Sequence, residues 1–214
     1  LIAVVPIRSG SKGIPNKNIK LFNDKPLIWW VLNSLEQSNI SQIIVATDPE
    51  YKTIVNNFGF SKVITYLRDP NNSRDTSSTE DVLLETITQL NLKDDIMLVQ
   101  ATSPLTTTKD INGGIKLYKK YDSVLSVVKQ KRFIWGNGKP LNYSYTNRPR
   151  RQDWGGYFVE NGSFYINSSS NIIEYKNRLS GNIGMYEMEE STYYEIDNIS
   201  DWIIMESLQN NLNK

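Results

Sequence analysis

Cysteine and histidine are both absent from this chain. Their absence excludes a disulfide, a thiol nucleophile and a Cys/His zinc site. A histidine general base is excluded too, so any acid–base step must use a carboxylate, Lys, Tyr, water or the substrate. A catalytic metal would need oxygen ligands, which points to Mg²⁺ or a similar hard cation. The chain also lacks an excess of either charge: 24 Lys and Arg stand against 23 Asp and Glu, a net +1. No nucleic-acid or membrane partner is therefore expected. No apolar run approaches the roughly 18 residues that a membrane span needs, and no signal peptide is visible. A cysteine-free composition fits a cytoplasmic protein, the expected location.

What is present suits an ordinary folded domain. Hydrophobic residues make up 39% of 214, enough for a core, and a single domain over 1–214 is expected. Apolar, β-branched runs alternate with helix-like segments. Ile2–Ile7, Gln42–Thr47, Lys62–Tyr66, Ile96–Gln100 and Ser123–Val128 read as strands. Between them, Pro26–Ser38, Pro49–Phe58, Ser78 to about Leu90, and Lys109–Tyr121 read as helices. In the first helix Leu27, Ile28, Val31, Leu32 and Leu35 share one face, and Gly59 stops the second. Such alternation predicts an α/β fold with a mostly parallel sheet flanked by helices.

The alternation breaks near Lys129. Residues 129–157 hold Trp, Pro, Gly, Asn and Arg without clear periodicity and read as an excursion from the sheet, with room for antiparallel strands. Strand character resumes at Phe158–Ile166. A short helix (Asn171–Leu179), a strand (Ile183–Met188) and a closing helix (Ser200–Asn210, capped by Ser200 or Asp201) complete the reading.

The most informative segment is the loop Arg8–Asn18 after the first strand. Gly10, Ser11 and Gly13 let the backbone approach a ligand closely. Arg8, Lys12 and Lys17 bring positive charge to the same place, which suits nucleotide phosphates. It is neither a P-loop nor a dinucleotide fingerprint. Ligands of open parallel sheets bind at the carboxyl ends of strands. The loops Arg8–Asn18, Arg68–Thr79 and Ala101–Thr108 each follow a predicted strand, so all three should share one edge.

The string Arg8-Ser9-Gly10-Ser11-Lys12-Gly13-Ile14-Pro15-Asn16-Lys17-Asn18 resembles that of the acylneuraminate (sialic acid) cytidylyltransferases. Further segments match in order: Asp75-Thr76-Ser77-Ser78-Thr79, Gln100-Ala101-Thr102-Ser103-Pro104 and Asp122-Ser123-Val124. Arg148-Pro149-Arg150-Arg151-Gln152-Asp153-Trp154, followed by Glu160-Asn161-Gly162-Ser163-Phe164-Tyr165, is the most specific. It is similar to the branch that contains the animal CMP-N-acetylneuraminate synthetases. The resemblance covers nearly the whole chain.

It implies a Rossmann-like nucleotidyltransferase that joins CTP to a nine-carbon 2-keto acid sugar, N-acetylneuraminate or Kdn, with release of pyrophosphate. Mg²⁺ or a similar cation would assist, and the excursion would dock on a second subunit of a homodimer or a dimer of dimers. Arg8, Gly10, Ser11, Lys12 and Lys17 would hold the triphosphate. Asn18, Arg68, Ser77 and Thr79 would contact the nucleotide, Gln100 the sugar, and Gln152 the nucleotide or substrate. Arg150, Lys12 and Lys17 would be catalytic. Asp197 and Glu195 would bind the metal, although Glu195 stands where the family has Asp. Capping is the reading preferred for Asp201. Two alternatives stay open: another acidic sugar (legionaminic, pseudaminic or Kdo), or a non-catalytic nucleotide- or sugar-binding module. The Kdo enzymes carry an R-x-x-S-x-R-L-P-G-K type of loop that this chain lacks.

Overall fold

A computed structural model describes residues 1–73 and 77–212. Asp75 and Thr76 of the quoted Ser/Thr motif lie outside the described residues. The elements in chain order are β1 (Ile2–Pro6), the small hairpin β2 (Leu21–Phe22) and β3 (Lys25–Pro26), α1 (Leu27–Glu36), β4 (Gln42–Thr47) and α2 (Pro49–Asn56). Next come β5 (Val63–Leu67), α3 (Thr79–Gln89), β6 (Asp95–Val99), α4 (Thr108–Tyr118) and β7 (Ser123–Gln130). A second hairpin, β8 (Trp135–Gly136) and β9 (Lys139–Pro140), precedes β10 (Tyr157–Ser168), α5 (Ser169–Tyr175), β11 (Ile183–Met188) and α6 (Ile199–Leu212).

Seven strands form one sheet in the order β11-β7-β10-β6-β1-β4-β5. The β1–β4, β1–β6, β4–β5 and β7–β11 pairs are parallel; β10 runs antiparallel to both of its neighbours, β6 and β7. From β1 the chain winds outward through β4 and β5, then returns to β6 on the other side of β1. That reversal opens a crevice at the carboxyl ends of β1 and β6, where open α/β sheets take their ligands.

Strand alternation divides the core between the two faces of the sheet. Ala3, Val5, Val45 and Val99 pack with Ile28, Val31 and Leu32 of α1, Val55 of α2 and Ile111 of α4. Ile2, Val4, Ile44 and Leu98 face the other way, toward Leu83 and Ile87 of α3 and Ile172 of α5. A third, smaller core gathers Ile14 of the cationic loop, Phe22, Leu27, Leu105, Ile196, Trp202 and Met205. Trp202 meets Phe22 edge to face, with ring centroids 5.5 Å apart. This cluster draws the loop after β1 against the acidic segment before α6.

Several predicted boundaries shift. α1 begins after Pro26, which sits at the cap, and α4 ends at Tyr118, three residues short of Tyr121. β7 extends to Gln130 and β10 starts at Tyr157, so the excursion occupies residues 131–156 and contains the β8–β9 hairpin. The cap of α6 is built on Asn198, and of the two residues named for it Asp201 takes part. Asn198 Oδ1 accepts from the Ser200 and Asp201 amides at 2.9 and 3.1 Å. Asp201 Oδ2 accepts from the Asp197 and Asn198 amides at 3.0 Å each, so Asn198 and Asp201 close a reciprocal box.

Candidate active site

A cavity of about 310 Å³ lies over the β1–β6 crevice. This is the lower end of the size range of small-molecule sites. Its walls come from four stretches that are remote in sequence. The loop after β1 contributes Arg8, Ser11, Lys12, Gly13, Lys17 and Asn18. Arg68 follows β5, and Ser77, Ser78, Thr79 and Val82 surround the start of α3. Gln100 and Thr102 follow β6, and Asp197 precedes α6. The three loops expected at one edge do meet there.

Direct bonds hold the remote stretches together. The Lys17 ammonium donates to the Ile196 carbonyl at 2.6 Å and reaches Asp197 Oδ1 at 3.2 Å, across 180 residues of sequence. Its side chain is only 13% exposed, whereas that of Asp197 is 76% exposed and open to a ligand. The Ile196 amide donates to the Thr102 carbonyl at 3.1 Å, which ties the acidic segment to the loop after β6. Gly13 lies against the Asp197 carbonyl so closely that a Cβ there would overlap it. Glycine at 13 is what allows this contact. Asn18 is buried, and its Nδ2 donates to the Arg8 carbonyl at 3.2 Å. Its amide therefore shapes the loop as well as lining the cavity.

α3 starts at the cavity with a reciprocal cap. Ser78 Oγ accepts from the Asp81 amide at 3.0 Å, and Asp81 accepts from the Ser78 amide at 2.9 Å. The cap is Ser78, with Ser77 and Thr79 flanking it. Ser77 Oγ donates to the Asn71 carbonyl at 3.1 Å.

Glu195 is set back from the cavity wall, beside the bulge of β10. The register of β10 against β7 shifts between Glu160 and Tyr165, and Gly162 within it has φ +66°. A side chain at 162 would collide with the Glu195 carboxylate. Burial, then the negative charge of Asp197, push the Glu195 carboxyl up to about 7. A hard cation beside Asp197 and Glu195 would offset the repulsion that Glu195 feels there. Among the described residues no group of three or more acids that could hold a metal gathers. Gly162→Ala is expected to displace Glu195 and destabilise the fold by about 1–3 kcal/mol, through overpacking and a left-handed backbone. Urea unfolding measures this; a loss below about 0.5 kcal/mol would show that Glu195 has room to move.

Besides Glu195, three expected residues lie off the cavity wall. Gly10 belongs to the loop but is not on the cavity wall. Arg150 and Gln152 lie on the excursion. Arg150 borders a separate cavity of about 640 Å³ with Lys131, Arg132, Phe133, Arg148, Pro149 and Arg151. The two cavities share no residue. The Arg150 side chain is 74% exposed and paired with Asp153 through Nε. Arg148 stacks over Phe133 at 4.3 Å, and Phe133 stacks on Trp154 at 4.8 Å, so aromatic rings give the basic run its shape. Within one chain, Arg150 does not join Lys12 and Lys17.

Sequence reasoning missed Asp48, the residue after β4. It accepts from both Ser9 and Arg68 beneath the cavity. Its place after a strand at the ligand edge was the available signal.

Residues 2–212 match the family model described as Cytidylyltransferase. The chain is 38% identical over 215 residues to N-acylneuraminate cytidylyltransferase A of Danio rerio, covering 95% of this chain and 49% of that protein. It is 35% identical over 219 residues to N-acylneuraminate cytidylyltransferase of Oncorhynchus mykiss, covering 96% and 49%. The chain thus spans about half the length of these relatives. Its fold matches a solved CMP:2-keto-3-deoxy-manno-octonic acid synthetase complexed with CTP, with a TM-score of 0.74 at 18% identity, over 99% of this chain and 98% of that one.

Proposed function

Because the chain belongs to the cytidylyltransferase family, we propose that it transfers the cytidylyl group of CTP to a nine-carbon 2-keto acid sugar, N-acetylneuraminate or Kdn, with release of pyrophosphate. The observation that carries this reading is the meeting of Arg8, Lys12, Lys17, Arg68 and Asp197 on one cavity from remote parts of the chain. A sugar-binding module would not need four cations and a carboxylate on one wall. The identity to animal enzymes that act on N-acylneuraminate favours a nonulosonic acid over Kdo.

In this mechanism the anomeric hydroxyl oxygen attacks the α-phosphorus of CTP. The new P–O bond forms as the bond from the α-phosphorus to the bridging oxygen breaks. Pyrophosphate carries the electron pair away, and the hydroxyl proton passes to water or a carboxylate near Asp197. Arg8, Lys12 and Lys17 would stabilise the charge that grows on the pyrophosphate. Gln100 at the end of β6 would hydrogen-bond the sugar, and the buried Asn18 would keep the nucleoside end of the loop in shape. Mg²⁺ or a similar cation would be held by Asp197 with Glu195 behind it, and would withdraw charge from phosphate oxygens. Most of the acceleration would then come from alignment and charge stabilisation.

Arg150 enters through a second copy of the chain in this reading. The excursion exposes Trp135, Leu141 and Tyr145, and β10 exposes Phe158, an apolar and aromatic surface consistent with docking in a homodimer. Among the described residues no helix is long and apolar enough to cross a membrane. The cysteine-free composition fits a reducing compartment such as the cytoplasm.

The decisive experiment follows pyrophosphate release from CTP with a panel of acid sugars. Release that depends on both sugar and Mg²⁺, with the highest kcat/KM for N-acetylneuraminate or Kdn, supports the proposal. No release with any 2-keto acid sugar, despite tight CTP binding, would favour a binding module.

A further inference from the structure

Asp48 is the first residue after β4 and lies just outside the cavity wall. Its carboxylate joins two parts of the site. Oδ2 accepts from the Ser9 amide at 2.8 Å and from Ser9 Oγ at 3.0 Å, at the start of the cationic loop. Oδ1 accepts from Arg68 Nη2 at 2.6 Å, with side-chain exposures of only 7% for Asp48 and 4% for Arg68. One turn into α2, the buried Tyr51 adds a second attachment. Its hydroxyl lies 3.3 Å from the Ser9 carbonyl and 3.1 Å from Asn16 Oδ1, near the other end of the loop.

We propose that Asp48, seconded by Tyr51, is a positioning element that holds the cationic loop and the Arg68 guanidinium in the shape that receives the nucleotide. Neither residue needs to touch the reacting atoms. The argument begins with the loop, which contains Gly10 and Gly13 and puts Asn16 at φ 54°. A backbone of that kind loses much freedom when it is ordered, and binding would bear that cost if nothing had ordered it beforehand. The Asp48 and Tyr51 contacts order it in advance, near both ends.

The second strand of the argument is charge. Arg8, Lys12, Lys17 and Arg68 converge on one cavity, and a buried carboxylate beneath them offsets their mutual repulsion. Asp48 engages Arg68 through Nη2, whereas Arg68 Nε is buried and has no hydrogen-bond partner among the described residues. A buried N–H with no acceptor is unusual in a folded protein, and an acceptor on a ligand would satisfy it. Arg68 has only donors to offer, so the matching ligand atom is an oxygen or ring nitrogen of the nucleotide.

This inference rests on the CTP reading above, and the test separates the two. Direct binding of CTP with Mg²⁺ to the full wild-type chain comes first; absence of binding would end both ideas. Steady-state kinetics then compare Asp48→Asn and Tyr51→Phe with wild type. Asp48→Asn is expected to raise the KM for CTP about tenfold, with the KM for the sugar unchanged and kcat within about threefold, as suits loss of one charge-assisted anchor. A merely structural role would lower the active fraction, and hence kcat, and leave the CTP KM unmoved. Asp48→Asn also leaves the Arg68 charge buried without its partner, so the variant can fail to fold. Tyr51→Phe keeps the ring in the core and removes only the hydroxyl, with an expected rise of about threefold in the CTP KM. If wild type binds CTP and every folded variant keeps its CTP KM within about 1.5-fold, the positioning role is wrong.

Discussion

Replacing Lys17 by alanine is expected to lower kcat/KM by about 100- to 1000-fold, the cost of removing one well-placed donor from a developing negative charge. The structure explains why this lysine should matter more than a solvated one. Its ammonium is held at 2.6 Å from the Ile196 carbonyl and 3.2 Å from Asp197, and its side chain is largely buried. It therefore sits where the cationic loop meets the acidic segment, already desolvated in part. When the nucleotide binds, the charge on the leaving pyrophosphate gains a donor that needs little reorganisation. Lys17→Arg is expected to recover less than a tenth of the loss, because a planar fork does not reproduce a point charge in this confined position. Pyrophosphate release at saturating sugar is the measurement, with circular dichroism as the control for folding. A fall of less than tenfold in a folded Lys17→Ala protein would contradict the role.

Arg150→Ala should cost about as much, about 100- to 1000-fold in kcat/KM, provided that it acts as a donor to substrate carboxylate or developing phosphate charge. One chain places Arg150 on a cavity that shares no residue with the one holding Lys17. Action in trans therefore has a signature. On the proposed homodimer, mixing the Lys17→Ala and Arg150→Ala proteins would give mixed dimers in which one site carries both defects and the other carries neither. Random exchange should restore about a quarter of wild-type activity. If Arg150 served its own chain, both sites of the mixed dimer would stay defective and no activity would return. Sedimentation supplies the control, since a chain that stays monomeric could not show rescue. Arg150→Ala with unchanged kcat/KM would remove this residue from the catalytic set altogether.

Much of the site was legible before any coordinates, for a local reason. A loop rich in glycine and cations behind a buried strand, a Ser/Thr-rich helix start, and a polar residue ending another strand each advertise themselves within about ten residues. Arg8, Ser11, Lys12, Lys17, Asn18, Arg68, Ser77, Thr79, Gln100 and Asp197 all reach the cavity wall. Asp48 did not stand out, since an Asp before a Pro at a helix start reads as an ordinary cap. Its carboxylate in fact turns beneath the cavity to Ser9 and Arg68. Glu195 was legible as an acid beside Asp197. Its retreat behind the wall was not, because that depends on the space left by Gly162 in a distant strand. Arg150 was legible as a compact basic run, but its separation from the cavity follows from where the excursion leaves the sheet.

The residue pattern alone settled the alternation of strands and helices, the edge at which ligand loops gather, and the chemical exclusions that follow from having no cysteine or histidine. These depend on periodicity and residue type, which neighbours in the chain express directly. Long-range packing settled the rest: the antiparallel seat of β10, the third core that brings Ile14 to Ile196, and the buried Asp48–Arg68 pair. Each of these is a choice among partners far apart in sequence. Such choices are made by the shape and charge that remain after the sheet has closed, and no local pattern records them.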